Sequence, residues 1–89
     1  MTTYKLDFSK SAKKTWDKLD NSVKAKLKAK LVERLENPKV PSAQLHGEPN
    51  LYKIKIMVPG VRLIYQVLDD EVVVLVLKIA NRDEVYDDF

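Results

Sequence analysis

The sequence predicts an α+β fold in which two helices pack against one face of a mainly antiparallel four-stranded sheet. Three observations carry this. Apolar residues recur at helical spacing from Ala12 to Leu35, the apolar period changes to two after Asn50, and the Pro/Gly-punctuated stretch NPKVPSAQLHGEPN separates the two regimes. The 89 residues, 45% hydrophobic and 33% charged with two glycines and four prolines, suit a single globular domain over 1–89 without repeats or low-complexity tracts.

Taken in order, YKLDF alternates and is rich in β-formers, which predicts a first strand over Tyr4–Phe8. Ser9 is placed to cap a helix whose apolar stripe is Ala12, Trp16 and Leu19. Asp20 or Asn21 stops that helix and caps the next. From Ser22 to Glu36 the residues Val23, Leu27, Leu31 and Leu35 recur every four positions, supplemented by Ala25 and Val32, and Asn37-Pro38 ends the second helix. After the loop, LYKIKIMV, VRLIYQVL and EVVVLVLKI read as three strands joined by a Pro59-Gly60 turn and an Asp69-Asp70 turn. The last strand is apolar on both faces, which places it centrally with cover on two sides, and the first strand is expected beside it. The tail NRDEVYDDF is expected to form a short helical turn.

Charge and composition narrow the chemistry. Net charge is +3, divided unevenly: residues 1–37 hold ten Lys or Arg against five acids, and residues 38–89 hold six against eight. A basic amino-terminal part suits either an anionic partner or a solvated lysine-rich helix face. Without cysteine, thiolate chemistry and disulfides are excluded, and a cytoplasmic location is expected, with no secretory h-region and no membrane span. The one histidine, His46, stands in the loop without a second imidazole, and the acids gather in a turn and in the tail, so neither a metal nor another cofactor is expected. No phosphate-binding glycine loop and no nucleophile elbow occurs.

Within LYKIKI, strand alternation puts Lys53 and Lys55 on one face and Tyr52, Ile54 and Ile56 on the other. If an even number of residues closes the Pro59-Gly60 hairpin, Met57 faces Arg62, Lys55 faces Ile64 and Lys53 faces Gln66, so Arg62 joins the lysine face. Leu63, Tyr65 and Val67 then turn to the helices with the apolar residues of the first hairpin strand. Three cations sharing one face are either a solvated surface or a site that holds phosphate.

Metal-free RNA cleavage needs no more than cations. RNA carries its own nucleophile, the 2′-hydroxyl, so the protein has only to remove that proton, neutralise the phosphorane and protonate the leaving oxygen. A lysine crowded by cations is disposed to act as base, and arginine clamps phosphate with two donors. In the tail, Arg82 and Tyr86 stand four residues apart. They read either as an exposed arginine with an aromatic anchor, or as a charge stabiliser with a platform for an unpaired base.

In order and spacing, SAKKTWDKLD, VKAKLKAKLVERLENP, LHGEPNLYKIKI, GVRLIYQVLDDEVVVLVL and NRDEVY resemble the RelE family of bacterial toxins, within the wider RelE/ParE superfamily, over nearly the whole chain. The resemblance implies a metal-independent endoribonuclease that cuts mRNA in the ribosomal A site, leaves a 2′,3′-cyclic phosphate and a 5′-hydroxyl, and is silenced by a cognate RelB-like antitoxin. It implies Lys55 as general base, Lys53 as phosphate binder and Arg62 as phosphate and transition-state clamp. Arg82 becomes transition-state stabiliser or acid, and Tyr86 the base-stacking platform. Some members carry two arginines where this chain offers Asn81 and Arg82. Lys10, Lys13, Lys24 and Lys28 are expected to dock on ribosomal RNA, with operator DNA met only through the antitoxin complex and no membrane partner. Two other readings share the fold: a ParE-like toxin that inhibits DNA gyrase by binding, and a catalytically weak antitoxin-binding corepressor.

Overall fold

The computed structural model describes residues 3–45, 47, 50–56 and 60–81, the last by its backbone alone. The chain runs β1 (Lys5–Phe8), α1 (Lys10–Lys18), α2 (Asn21–Glu36), a 3₁₀ turn (Pro41–Ala43), β2 (Leu51–Ile56), β3 (Val61–Leu68) and β4 (Val73–Asn81). The sheet order is β1-β4-β3-β2. The hairpin strands are antiparallel, and β1 lies beside β4 as expected but parallel to it, so the sheet is mixed.

Local chemistry explains the boundaries. The Ser9 hydroxyl accepts from the Ala12 amide at 3.2 Å, capping α1, and donates to the Leu77 carbonyl at 3.0 Å. Trp16 packs from α1 onto the Phe8 ring, with centroids 5.2 Å apart. In α2 the expected stripe is buried at Val23, Leu27 and Leu31. Val32 and Ala25 do not join it: Val32 is 53% exposed and Ala25 is also exposed, because both lie on the helix face turned from the sheet. Among the described residues no helix is long and apolar enough to cross a membrane.

The core lies between the helices and one face of the sheet. Tyr52, Ile54, Ile56, Leu63, Tyr65 and Val67, the residues assigned to that face by alternation, are all buried there with Val74, Val76 and Ile79. Burying one such side chain stabilises the fold by about 1.5–3 kcal/mol. β4 is central, but its cover is unequal. Val74 and Val76 are fully buried, whereas Leu75 and Leu77 are half-buried, so the helices close one face and not the other.

Two corrections concern register. Lys55 pairs with Arg62, Lys53 with Ile64 and Leu51 with Gln66, a shift of two from the expected pairing of Lys55 with Ile64 and Lys53 with Gln66. The last described pair is Ile56 with Val61, and Met57 and Pro59 of the expected turn lie outside the described residues. The shift is even, so each side chain keeps its expected face while its partner changes. Gly60 has φ +97, a conformation that L side chains rarely adopt. The second correction is a bulge between Ile64 and Tyr65: their partners on β4 are Lys78 and Val76, leaving Leu77 unopposed.

Candidate active site

The shifted register brings the cations closer together than the expected one. The Val67 amide donates to the Asn50 carbonyl at 3.0 Å, which fixes the phase of the β2–β3 ladder. Alternation from that bond makes 51–66, 53–64 and 55–62 the narrow, non-hydrogen-bonded pairs, with Cα atoms about 4.5 Å apart and side chains close. Lys55 therefore stands directly across from Arg62, on the face away from the helices. Across the three strands, one row reads Lys53, Ile64, Lys78 and the next reads Lys55, Arg62, Ala80.

Like charges directly opposed on a sheet are destabilising. Lys53 and Lys55 are exposed, and neither they nor Arg62 form an ion pair among the described residues. Arg62 is half-buried, and its Nε is a buried donor without a hydrogen-bond partner. Ile64 and Ala80 beside it are 2% and 5% exposed yet stand apart from the main core cluster. The result is a guanidinium with donors to offer, set against an apolar floor, with two ammonium groups at its rim. This arrangement suits an anion with several oxygens, such as phosphate.

Among the other expected site residues, Arg82 and Tyr86 lie outside the described residues, as do His46 and the expected tail turn. The basic residues of the helices are not part of the cation cluster. Lys10 and Lys28 are exposed and Lys24 is half-buried. Lys13 pairs with Asp17 at 3.3 Å and lies 5.8 Å from the centroid of the Phe8 ring.

The site has neighbours that the sequence reading passed over. Lys78 shares its face through the pairing with Ile64. Arg34, in the last turn of α2, sends Nη1 to the Lys53 carbonyl at 3.3 Å and to the Tyr65 hydroxyl at 3.0 Å. Tyr65 in turn donates to the Pro38 carbonyl at 2.6 Å and stacks on Tyr52, with centroids 5.6 Å apart. Burial pushes the Tyr65 hydroxyl above its ordinary pKa, and Arg34 pulls it partly back. A signal for Arg34 was present in the sequence: it stands seven residues after Leu27 and three after Leu31, on the buried stripe, where a charge must find a partner.

Comparison with known proteins now places the chain. Residues 6–86 match the family model described as the ParE toxin of type II toxin-antitoxin systems, parDE. The mRNA interferase toxin RelE of Escherichia coli K12 is 48% identical over 85 residues, covering 93% of this chain and 90% of that protein. This chain belongs to the RelE/ParE family of type II toxins. The isolated E. coli RelE toxin superposes with a TM-score of 0.86 at 47% identity, covering 96% of this chain and 93% of RelE. RelE in the intact E. coli RelBE toxin-antitoxin complex gives a TM-score of 0.85 at 47% identity over 88% of this chain and 95% of that one. The family model carries the ParE name, but the full-length relatives at 48% identity are RelE interferases.

Proposed function

We propose that this chain is a RelE-type mRNA interferase, a metal-independent endoribonuclease that cleaves mRNA in the ribosomal A site and is held inactive by a RelB-like antitoxin. The observation that carries the reading is the narrow pair Lys55–Arg62 with Lys53 on the same exposed face. In this reading Lys55, in its amine form, takes the proton of the 2′-hydroxyl. The 2′-oxygen attacks the adjacent phosphorus, the bond from phosphorus to the 5′-oxygen breaks, and that oxygen leaves after accepting a proton. The products are a 2′,3′-cyclic phosphate and a 5′-hydroxyl.

Arg62 and Lys53 hold the phosphate oxygens and offset the charge that grows on them, Arg62 through a planar pair of donors and Lys53 as a point charge. On the family pattern Arg82 stabilises the phosphorane and supplies the leaving-group proton, and Tyr86 stacks a base. With no imidazole in this set, the ribosome supplies what the protein lacks, an RNA backbone held for in-line attack. Lys10, Lys13, Lys24 and Lys28 dock on ribosomal RNA, with salt-sensitive affinity. The antitoxin is an acidic segment that folds on the toxin along the helices or the cationic face.

Single-turnover cleavage of mRNA on programmed ribosomes, with the ends of the product identified, tests this. Cleavage that needs the ribosome and leaves cyclic phosphate ends is expected. Equal cutting of naked RNA refutes the ribosome dependence. Inhibition of gyrase supercoiling by a protein that leaves mRNA intact overturns the assignment in favour of the binding toxin that the family model's name suggests.

A further inference from the structure

β2 is an edge strand of the sheet, and it carries both lysines of the candidate site. An edge strand presents backbone groups that no neighbouring strand satisfies, and such a strand shifts readily unless something holds it. The first part of the edge is held by backbone: the Leu45 amide donates to the Leu51 carbonyl at 2.8 Å, and Gln44 bridges to Tyr52. At the next outward carbonyl, that of Lys53, the partner is a side chain, Arg34.

We infer that Arg34 is a positioning residue for the reaction: by binding the Lys53 carbonyl from α2 it sets the edge strand against β3 and so places Lys53 and Lys55 relative to Arg62. The inference rests on the active-site reading above. Arg34 touches no part of the proposed RNA site, since it approaches Lys53 through the backbone and from the helix side.

The guanidinium is itself held. The Tyr65 hydroxyl accepts from the same Nη1 at 3.0 Å, and Arg34 lies 5.9 Å from the centroid of the Tyr65 ring. Tyr65 is fully buried and tied to the Pro38 carbonyl at 2.6 Å, so the anchor is fixed to the core and to the loop that follows α2. A planar fork resting on an aromatic face can serve two oxygens at once, whereas a lysine at position 34 offers a point charge without the stacked plane. Packing alone explains neither choice: an aliphatic side chain of similar length fills the same half-buried place without donating to a backbone oxygen.

Two substitutions, Arg34→Met and Arg34→Lys, made in the parent and in a Lys53→Ala background, test the inference. Each protein is assayed by single-turnover cleavage across ribosome concentrations, with thermal unfolding as control. In the parent, Arg34→Met is expected to slow the maximal rate by about tenfold to a hundredfold, the scale on which small misplacements act, and to leave the half-saturating concentration unchanged. Arg34→Lys is expected to recover part of that rate. In the Lys53→Ala background Arg34→Met should cost clearly less than in the parent, because one of the groups it positions is already gone.

Equal factors in both backgrounds overturn the inference, as does an unchanged rate in a folded Arg34→Met protein. If Arg34→Met is unfolded at the assay temperature, Arg34→Lys takes its place, and a parent-like rate there is the overturning result. Failure of the underlying site reading shows itself separately: Lys53→Ala alone would then cut as fast as the parent.

Discussion

The two faces of the β2–β3 hairpin are built from alternate residues of the same two strands, and they obey opposite rules. Toward the helices, Tyr52, Ile54, Leu63 and Tyr65 are buried, and their removal from water stabilises the fold. On the other face, Lys55 stands opposite Arg62 and Lys53 beside Ile64, an arrangement that opposes like charges without an ion pair among the described residues. One face spends sequence on stability, the other on charge at a cost in stability. The contrast teaches where to look for chemistry in a small domain: at the positions where the strand pattern is obeyed but the pairing is unfavourable.

Substitutions on adjacent residues can break this comparison, and the largest effect is expected in rate. Lys55→Ala should lower single-turnover cleavage on programmed ribosomes by about 10² to 10⁴ while the circular dichroism spectrum stays unchanged. Lys55→Arg should fail to restore the rate, because guanidinium keeps its proton near neutral pH. Parent-like cutting by Lys55→Arg would reduce Lys55 to a charge. One residue away, Ile54→Ala should do the reverse: about 2–5 kcal/mol of stability lost in denaturant titrations, from a side chain 1% exposed, with little change in rate where the protein is folded.

A smaller effect sharpens the comparison in the opposite direction. Lys55→Thr removes the charge facing Arg62 and adds a good strand former, so it should raise the stability of an inactive protein by about 0.2–1 kcal/mol. Loss of stability in that variant would mean that the cation pair is not under repulsion.

The expected effect of acid is smallest, and it comes from outside both faces. Asp69 accepts from Lys39 at 2.6 Å and from the Tyr4 hydroxyl at 2.8 Å, tying the turn after β3 to the chain before β1. Lys39 first, and Tyr4 next, hold the Asp69 carboxyl below its ordinary value of 3.8. A carboxylate held low in the folded state contributes stability above its unfolded pKa, and that contribution is lost as pH falls through the folded value. Asp69→Asn should therefore flatten the loss of stability below about pH 4 and change the neutral-pH rate little, as thermal unfolding across pH would show.

These contrasts also mark what was legible in the sequence. The four-residue spacing of α2 and the alternation of LYKIKI were enough for the elements, the order of the sheet and the face shared by Lys53, Lys55 and Arg62, because parity survives any even change in loop length. For the same reason parity could not tell one even register from the next, so the direct opposition of Lys55 and Arg62 was not foreseen. The bulge at Leu77 left no mark because VVVLVL is apolar throughout and alternation is silent there. Arg34 was not singled out, although its place on the buried stripe required a partner.

The unopposed Leu77 gives β4 two reading phases. Before it, Val74 and Val76 turn to the helices; after it, Ile79 does, while Lys78 and Ala80 share the cationic face. Loss of a single codon at Leu77 would remove the carbonyl that accepts from Ser9 but merge the two phases into strict alternation, with Lys78 still on the cationic face and Ile79 still toward the helices, whereas loss of one at Leu75 would make Val74 and Val76 neighbours on opposite faces. Deletions in this strand are thus graded by phase before they are graded by size, and two positions two residues apart differ in what their loss does to the core.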